Sequence, residues 1–214
     1  MKKYFLPAVI AIMCCSVLSS VSAQEERLFN GKDLSNWEFV VDGDSVPGSQ
    51  VYSVQNGEIL IQGRPFGYMY TKKTYRNYTL NVEWAWVDEP TNSGIFVIIA
   101  QTTNPFPNGI EVQLAAGNAG DFVMLGGSDM VEFKAPEDRP RPRFPVVRKK
   151  EATNEKVAGE WNKAKIIVNE GKITVYINDV FQNEGTCPVK EGHIGLQSEG
   201  KRIKFRNVTA TINN

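Results

Sequence analysis

Tyr78-Thr79-Leu80-Asn81-Val82-Glu83-Trp84-Ala85-Trp86-Val87 alternates between large apolar and smaller or polar side chains over most of its length. Successive side chains of a β-strand point to opposite faces, so this spacing places Leu80, Val82, Trp84 and Trp86 together on one face. A face that carries two tryptophans and two aliphatic residues favours core packing over ligand binding. The stretch therefore predicts a strand that buries one side in the interior of the protein.

Short strands of similar composition recur on both sides of this stretch, separated by Gly, Asn, Asp and Pro. Gln55-Asn56-Gly57 and Asn169-Glu170-Gly171 predict two hairpins, because a glycine in such a turn accepts a positive φ at little cost. Gly94–Gln101 is almost entirely apolar and predicts a strand covered on both faces. The strands predicted from these patterns are Val51–Val54, Glu58–Gln62, a short strand after Gly67, Tyr78–Val87, Gly94–Gln101, Ile110–Leu114, Phe122–Leu125, Lys163–Val168, Lys172–Asn178, His193–Gln197 and Ile203–Ile212. This pattern, without a linker or a long helix, predicts an all-β protein with one domain over residues 24–214, built as a sandwich of two antiparallel sheets.

Composition and charge exclude several other classes of protein. The chain has 214 residues, of which 42% are hydrophobic, and its 24 Lys and Arg are balanced by 24 Asp and Glu. This balance argues against a nucleic-acid-binding protein, which needs a basic surplus to neutralise phosphates. The single histidine, His193, excludes a multi-histidine metal site within one subunit. At the start of a strand it favours a structural role over a catalytic one.

The N-terminus has the pattern of an export signal. Two lysines precede the apolar stretch 4–18, and small residues follow up to Ala23. This order is typical of a secretory signal peptide, so we expect residues 1–23 to be cleaved and the mature protein to be periplasmic or secreted. The apolar stretch is short for a membrane-spanning helix, and its two cysteines lack the usual lipoprotein context. The mature chain then has no membrane span and keeps Cys187 as a packing residue without an internal disulfide.

Gly126–Gly159 interrupts the regular strand pattern. It carries four prolines between residues 136 and 145, together with several arginines. Proline cannot donate to a sheet ladder, so these positions exclude an interior strand. A loop of this length is usually functional or disordered. We favour a rim loop beside a binding groove over a solvated insertion.

The polar faces of two predicted strands carry the principal candidate residues. Glu111 and Gln113 share one face of the strand Ile110–Leu114, and Gln197 and Glu199 face the same way at the end of a later strand. Amides and carboxylates bind sugar hydroxyls through paired hydrogen bonds, so these four side chains suit a sugar-binding groove. The same pattern also fits the solvent-facing side of an antiparallel sheet, and periodicity leaves both interpretations open.

Four further side chains are candidates for binding substrate. Tyr68 and Tyr70 alternate on a short strand, where they suit either stacking on a sugar ring or core and edge packing. Lys72 follows them, in a position where a lysine is usually solvated. Arg206 is out of phase with the apolar Phe205 and can therefore reach a polar face.

Seven blocks along the chain carry a resemblance to a known family. In chain order they are Leu28-Phe29-Asn30-Gly31-Lys32-Asp33-Leu34-Ser35-Asn36-Trp37, Tyr75-Arg76-Asn77-Tyr78, Asn92-Ser93-Gly94-Ile95, Gly109-Ile110-Glu111-Val112-Gln113, Gly159-Glu160-Trp161-Asn162, Gly192-His193-Ile194-Gly195-Leu196-Gln197 and Phe205-Arg206-Asn207-Val208. As an ordered set they resemble the 3-keto-disaccharide hydrolase family, formerly a domain of unknown function. The resemblance implies a concanavalin A-like jelly roll. It also implies a secreted or periplasmic enzyme of Bacteroidetes-like bacteria that cleaves glycosides already oxidised at C3.

The chain departs from the jelly-roll glucanases that share this fold. Those enzymes carry three alternating carboxylates on one strand, whereas here Glu111 is followed at the same spacing by Gln113 and Ala115. The ordinary retaining mechanism with two carboxylates therefore does not fit this strand.

The 3-keto chemistry that the resemblance implies needs a different arrangement. A ketone at C3 acidifies the C2 proton, so one base can start elimination of the group at C1, and hydration then completes net hydrolysis. We expect Glu111 to be the base and Glu199 or a water to assist the leaving group. Gln113, Gln197 and Arg206 would orient hydroxyls and stabilise the enolate oxygen. No cofactor is expected, although oxygen-liganded Ca²⁺ or Mn²⁺ stays open.

Two other functions fit the same residues. In a non-catalytic, lectin-like glycan-binding module, Glu111 and Gln113 would only hydrogen-bond sugar. A structural or adhesion sandwich would have no polar pocket around Glu111 and Gln197. The expected partner of the enzyme or the lectin is a carbohydrate, and the sequence leaves the oligomeric state open.

Overall fold

The computed structural model describes residue 1 and residues 24–213. The predicted signal peptide, at residues 2–23 after the initial methionine, lies outside the described residues. The strands of the described chain are β1 (Gln24–Arg27), β2 (Trp37–Val41), β3 (Tyr52–Gln55), β4 (Glu58–Ile61), β5 (Gly67–Thr71), β6 (Tyr78–Trp86), β7 (Gly94–Gln101), β8 (Asn108–Gln113), β9 (Phe122–Leu125), β10 (Val146–Val147), β11 (Asn162–Asn169), β12 (Lys172–Ile177), β13 (Val180–Thr186), β14 (His193–Ser198) and β15 (Ile203–Ile212). A single helical turn, α1 (Gly48–Val51), and a 3₁₀ turn at Asp42–Asp44 lie between β2 and β3. Among the residues that the structure describes, no helix has the length and apolar character needed to cross a membrane.

The strands form two antiparallel sheets. The back sheet has the order β13-β12-β11-β6-β15-β4-β3, with β1 also pairing with β15, and the front sheet has the order β10-β9-β8-β7-β14-β5-β2. Strands that are distant in sequence lie side by side in both sheets, for example β6 beside β15 and β7 beside β14. The predicted jelly-roll sandwich of two antiparallel sheets is therefore confirmed.

The main core fills the space between the two sheets. Trp84 and Trp86 of β6 are buried in it, as their spacing predicted, together with Ile95 and Leu196 of the front sheet. Burying apolar surface of this extent is the main source of stability in a domain of this size. Cys187 is buried and free, and its burial raises the pKa of the thiol, in agreement with a packing role.

The two predicted hairpins are present. Asn56 and Gly57 both have positive φ, and Gln55 pairs directly with Glu58 across a two-residue turn. Glu170 and Gly171 form the equivalent turn between β11 and β12.

Four strands were not among those predicted. β1 consists of polar residues and β10 has two residues, so neither carries an apolar period. β2 alternates only weakly, and β13 places two polar residues, Gln182 and Asn183, in buried positions. These strands form because a neighbouring strand supplies their hydrogen bonds, which is a long-range effect. β10 follows Pro145 and pairs only with β9 at the sheet edge, so the prediction of no interior strand in 126–159 is confirmed.

Candidate functional site

The candidate residues converge on the outer face of the front sheet, which points away from the main core. Residues that pair directly across antiparallel strands share a face. Glu111 on β8 pairs with Phe96 on β7 and with Val123 on β9, and Gln197 on β14 pairs with Tyr68 on β5. Phe96, Val123 and Tyr68 belong to a second apolar cluster, separate from the main core. Glu111 and Gln197 thus lie among apolar neighbours on the outer face.

Glu111 and Gln197 form a buried polar pair. Gln197 Nε2 donates a hydrogen bond to Glu111 Oε2 at 3.4 Å, and each side chain is 2% exposed. Two oxygens of this pair, Glu111 Oε1 and Gln197 Oε1, are buried without a hydrogen-bond partner in the described chain. Leaving a buried polar atom unsatisfied costs about 1–3 kcal/mol. Each buried unsatisfied polar atom in a folded protein calls for an explanation, and a role in a functional site is one.

The environments of two neighbouring carboxyls differ. Burial raises the pKa of Glu111 well above its ordinary value, and the charge of Glu199 raises it further. Glu199 is half-buried, and burial also raises its pKa, while a hydrogen bond from Asn92 and the charge of Arg64 act in the opposite direction. The pKa of both carboxyls is therefore raised, and that of Glu111 lies well above its ordinary value. Two carboxyls in different environments are the pattern of an acid–base pair.

A strap between β7 and β8, residues 102–107, covers part of this face. The hydroxyl of Tyr68 donates to the Thr103 carbonyl at 2.9 Å, and Asn104 Nδ2 donates to the Val41 carbonyl at 2.9 Å. Phe106 packs against the second apolar cluster. With the core on one side and the strap on the other, residues 94–99 of β7 are all buried. The prediction of a strand covered on both faces is confirmed for this part of β7.

Three aromatic rings, Phe66, Phe106 and Phe144, form an arch across the same face. Their successive ring centroids are 5.9 Å and 5.5 Å apart. Arg64 lies over Phe66 at 3.9 Å and Arg143 over Phe144 at 5.0 Å, so each end of the arch carries a cation. Phe144 belongs to the loop predicted to border a groove, and this part of the loop does border the outer face.

Two cavities lie beside these two arginines. One of about 600 Å³ is lined by Arg64 and by Gly200, the residue after Glu199. The other, of about 240 Å³, is lined by Phe106, Phe144 and Arg143. We refer to the outer face between these two cavities as the groove; the Glu111–Gln197 pair lies on this face, buried, and lines neither cavity.

Comparison with protein families identifies the family of this chain. The family model of the 3-keto-alpha-glucoside-1,2-lyase-like domain matches residues 24–211. The chain belongs to this family. The match covers the two sheets and every residue of the groove.

Individual proteins also resemble this chain in sequence or in fold. A 3-keto-disaccharide hydrolase from Bacteroides thetaiotaomicron is 25% identical over 86% of this chain and 77% of its own length. A solved structure from Parabacteroides distasonis, described as a glycosyl hydrolase, superposes with a TM-score of 0.63 at 20% identity, over 89% of this chain and 94% of that one. The carbohydrate-binding module CBM66 from Bacillus subtilis superposes with a TM-score of 0.60 at 12% identity, over 82% and 95%. At these identities the two solved structures show a shared fold.

The structure brings most of the predicted site residues of this family member to one face. Glu111 and Gln197 are hydrogen-bonded, Tyr68 pairs with Gln197 across the strands, and the charge of Glu199 acts on Glu111. Gln113 shares the face of Glu111, but its side-chain oxygen accepts hydrogen bonds from the backbone N–H groups of the next two residues, so it holds the end of β8. Tyr70 is half-buried and contacts the ring of His193 edge-on at 5.2 Å.

Arg206 and Lys72 are not brought to Glu111. Arg206 lies on β15 of the back sheet, where its Nε donates to Glu83 Oε2 at 2.7 Å and its guanidinium covers Trp161. It points away from the core, as its phase predicted, but the polar face that it reaches belongs to the other sheet. Lys72 follows β5 four residues beyond Tyr68, about 13 Å along the strand direction. It is exposed, with its Nζ 3.8 Å from Glu38.

Several residues of the groove were not singled out from the sequence. Arg64, Phe106, Phe144 and Arg143 come from irregular segments, for which periodicity gives no direction. Asn92 lies within one of the resemblance blocks, and its Oδ1 is also buried without a partner in the described chain. In the sequence, the resemblance block that contains Asn92 was the only feature that pointed to this part of the site.

A metal site needs several ligand side chains grouped together. Within residues 24–213, no three or more His, Cys, Asp or Glu side chains are grouped so that they could hold a metal ion. The expectation of no cofactor stays a prediction.

Proposed function

We propose that this protein cleaves 3-keto-glycosides in the groove on the outer face of the front sheet. One observation carries the proposal: Glu111 is a fully buried carboxyl with an unsatisfied oxygen and a raised pKa, and the charge of a second carboxyl, Glu199, acts on it. The family description names a 1,2-lyase, and the Bacteroides relative is named a hydrolase. Elimination across C1 and C2 followed by hydration accounts for both names.

The protonation states of Glu111 and Glu199 determine which of them acts as acid and which as base. Burial raises the pKa of both carboxyls, but Asn92 and Arg64 oppose the rise at Glu199 while the charge of Glu199 adds to the rise at Glu111. Glu199 is therefore the first of the two to release its proton. We therefore assign Glu199 as the base for the C2 proton and Glu111 as the acid for the oxygen leaving from C1. This exchanges the roles expected from the sequence, because burial decides which carboxyl ionises first.

The proposed reaction has an elimination step and a hydration step. Glu199 takes the C2 proton, the electron pair forms an enolate with the C3 oxygen, and the C1–O bond breaks as Glu111 protonates the leaving oxygen. Water then adds at C1 and a proton returns to C2, which gives net hydrolysis. Gln197 orients Glu111 through their hydrogen bond. Arg64, whose charge acts on Glu199, is the candidate for stabilising the enolate.

A lectin-like module is the second candidate function. Its support is the shared fold with a carbohydrate-binding module and the pair of unsatisfied oxygens, which also suit binding without catalysis. It predicts that unoxidised glycans bind and remain intact. Mutation of Glu111 would then weaken the affinity for glycans, and there would be no catalytic rate to lose.

The test is product analysis by NMR and mass spectrometry. The purified protein is incubated in D₂O with a 3-keto-glucoside and, separately, with its unoxidised parent. The proposal predicts release from the keto form only, with deuterium at C2 of the product, because the original C2 proton is lost. Glu111→Gln should abolish release. Glu184→Gln, at a partly exposed position on β13 of the back sheet, is the matched control and should retain it.

Two outcomes would reject the proposal. Release without deuterium at C2 would exclude elimination. No release from either compound, with binding of unoxidised glycans intact, would assign the groove to a lectin-like module.

A further inference from the structure

Arg143 and Arg64 differ from most arginines of the described chain. A carboxylate lies within 4.0 Å of Arg76, Arg141, Arg148, Arg202 and Arg206. No ion pair forms at Arg64 or Arg143 within residues 24–213, and both guanidiniums instead lie over phenylalanine rings of the arch. Their charge is therefore available to a ligand.

The cavity of about 240 Å³ at the Arg143 end is suited to a ring. Phe106 and Phe144 line it and meet at an interplanar angle of 78°, so they supply apolar walls in two orientations. An apolar cavity of about 150 Å³ is enough to hold benzene. Asn104 also lines it, but both ends of its amide are engaged, by Gly43 N–H and by the Val41 carbonyl. Among the described lining residues, Arg143 alone carries a charge.

The position of this cavity relative to Glu111 follows from the strand register. Glu111 pairs with Val123, while Gly109 pairs with Leu125, the residue before Gly126 of the cavity wall. Two residues along a strand correspond to about 7 Å, roughly the length of one sugar ring. Glu199 lies on the opposite side of Glu111 from this cavity, beyond Gln197 along the strand direction. A group leaving from a sugar bound between Glu199 and Glu111 would extend toward Arg143.

We propose that the cavity between Phe106 and Phe144 is the leaving-group subsite and that it takes a planar ring carrying a carboxylate. Arg143 is its specificity-determining residue. The guanidinium is planar and can bind a carboxylate through two parallel hydrogen bonds, while the ring of the ligand contacts the phenylalanines. This inference rests on the proposed function, because it identifies the substrate class of the same groove.

The experiment compares two 3-keto-glucosides, one with a 4-carboxyphenyl aglycone and one with the methyl ester of that aglycone. We expect kcat/KM to be roughly fivefold higher for the acid at low ionic strength, as for a partly exposed charge pair, and the ratio to shrink in 0.5 M NaCl, where salt screens the pair. The free acid is the poorer leaving group, so intrinsic reactivity acts against the expected preference. Arg143→Gln should bring the ratio to about one. Arg139→Gln removes an exposed arginine of the same loop and should leave it unchanged.

A binding measurement separates this inference from the proposed function. The unoxidised parents of both compounds are titrated by calorimetry against the wild type and Arg143→Gln. A preference for the acid that Arg143→Gln removes supports the subsite, even if neither keto compound is cleaved and the proposed function fails. Equal affinities and equal kcat/KM values for acid and ester would overturn the subsite, while cleavage of both would leave the proposed function standing.

Discussion

The carboxyl of Glu111 lies directly over Gly94 on the neighbouring strand. A Cβ at position 94 would come within 2.5 Å of both Cγ and Cδ of Glu111. Gly94 does not have a positive φ, so a glycine is needed here for the space that it leaves and not for its backbone conformation. The missing side chain is what lets a buried carboxyl occupy this part of the outer face.

Gly94→Ala should therefore damage the site more than the fold. The added methyl group has to displace Glu111, so we expect turnover of a 3-keto-glucoside to fall at least about tenfold, with a loss of about 1–3 kcal/mol in the free energy of unfolding. Gly185→Ala is the matched control, because its Cβ would meet Met130 Cε at 2.5 Å on the back sheet, away from the groove. Equal effects of the two variants on kcat would contradict the placement of Glu111 in the active site.

The charge of Arg64 predicts a change in the pH–rate profile. If Glu199 is the base, kcat/KM falls on the acidic side as Glu199 becomes protonated. Arg64 lowers the pKa of Glu199, so Arg64→Gln should move this acidic limb to higher pH. Arg139→Gln, an exposed arginine of the 126–159 loop, should leave the limb in place. A limb that stays fixed in Arg64→Gln, or moves to lower pH, would rule out Glu199 as the titrating base.

Burial of Glu111 predicts a pH dependence of stability. Between the ordinary glutamate pKa of 4.5 and its raised value in the folded protein, the unfolded chain has released the Glu111 proton and the folded chain has not. The unfolded state then binds fewer protons, so this residue makes the free energy of unfolding decrease as pH rises through that interval. Urea unfolding from pH 4 to pH 8 should show that wild type loses stability relative to Glu111→Gln as pH increases. A constant difference between the two proteins would show that Glu111 ionises normally.

Arg206→Gln should leave catalysis intact. Arg206 and its partner Glu83 lie on the back sheet, and the pair is partly exposed, so its loss should cost no more than about 1 kcal/mol of stability. We expect kcat/KM to stay within about twofold of wild type, since no step of the proposed reaction uses this side chain. Steady-state kinetics with a 3-keto-glucoside, together with thermal unfolding, check both statements. A tenfold loss of kcat/KM with normal stability would return Arg206 to the site.

The two predicted hairpins show which features are local. Asn56-Gly57 and Glu170-Gly171 have the backbone freedom that a two-residue turn needs, so the turn and the register of its strands follow from neighbouring residues. The alternation in β6 likewise predicted that Trp84 and Trp86 are buried. β13 shows the opposite case, because Gln182 and Asn183 are buried through contacts with distant segments that no local pattern contains.

The sequence by itself determined that the chain is an all-β sandwich, where its main hairpins turn, and that Glu111 and Gln197 lie on the sides of their strands that face away from the main core. A period of two fixes which side of a strand a residue occupies, because that is a property of the extended backbone. The tertiary structure decided which strands are neighbours. It joined Glu111 to Gln197 across 86 residues of sequence, carried Arg206 to the other sheet, and buried Glu111 deeply enough to change its pKa. Strand order and burial depend on how both sheets pack together, and periodicity along one strand does not contain that information.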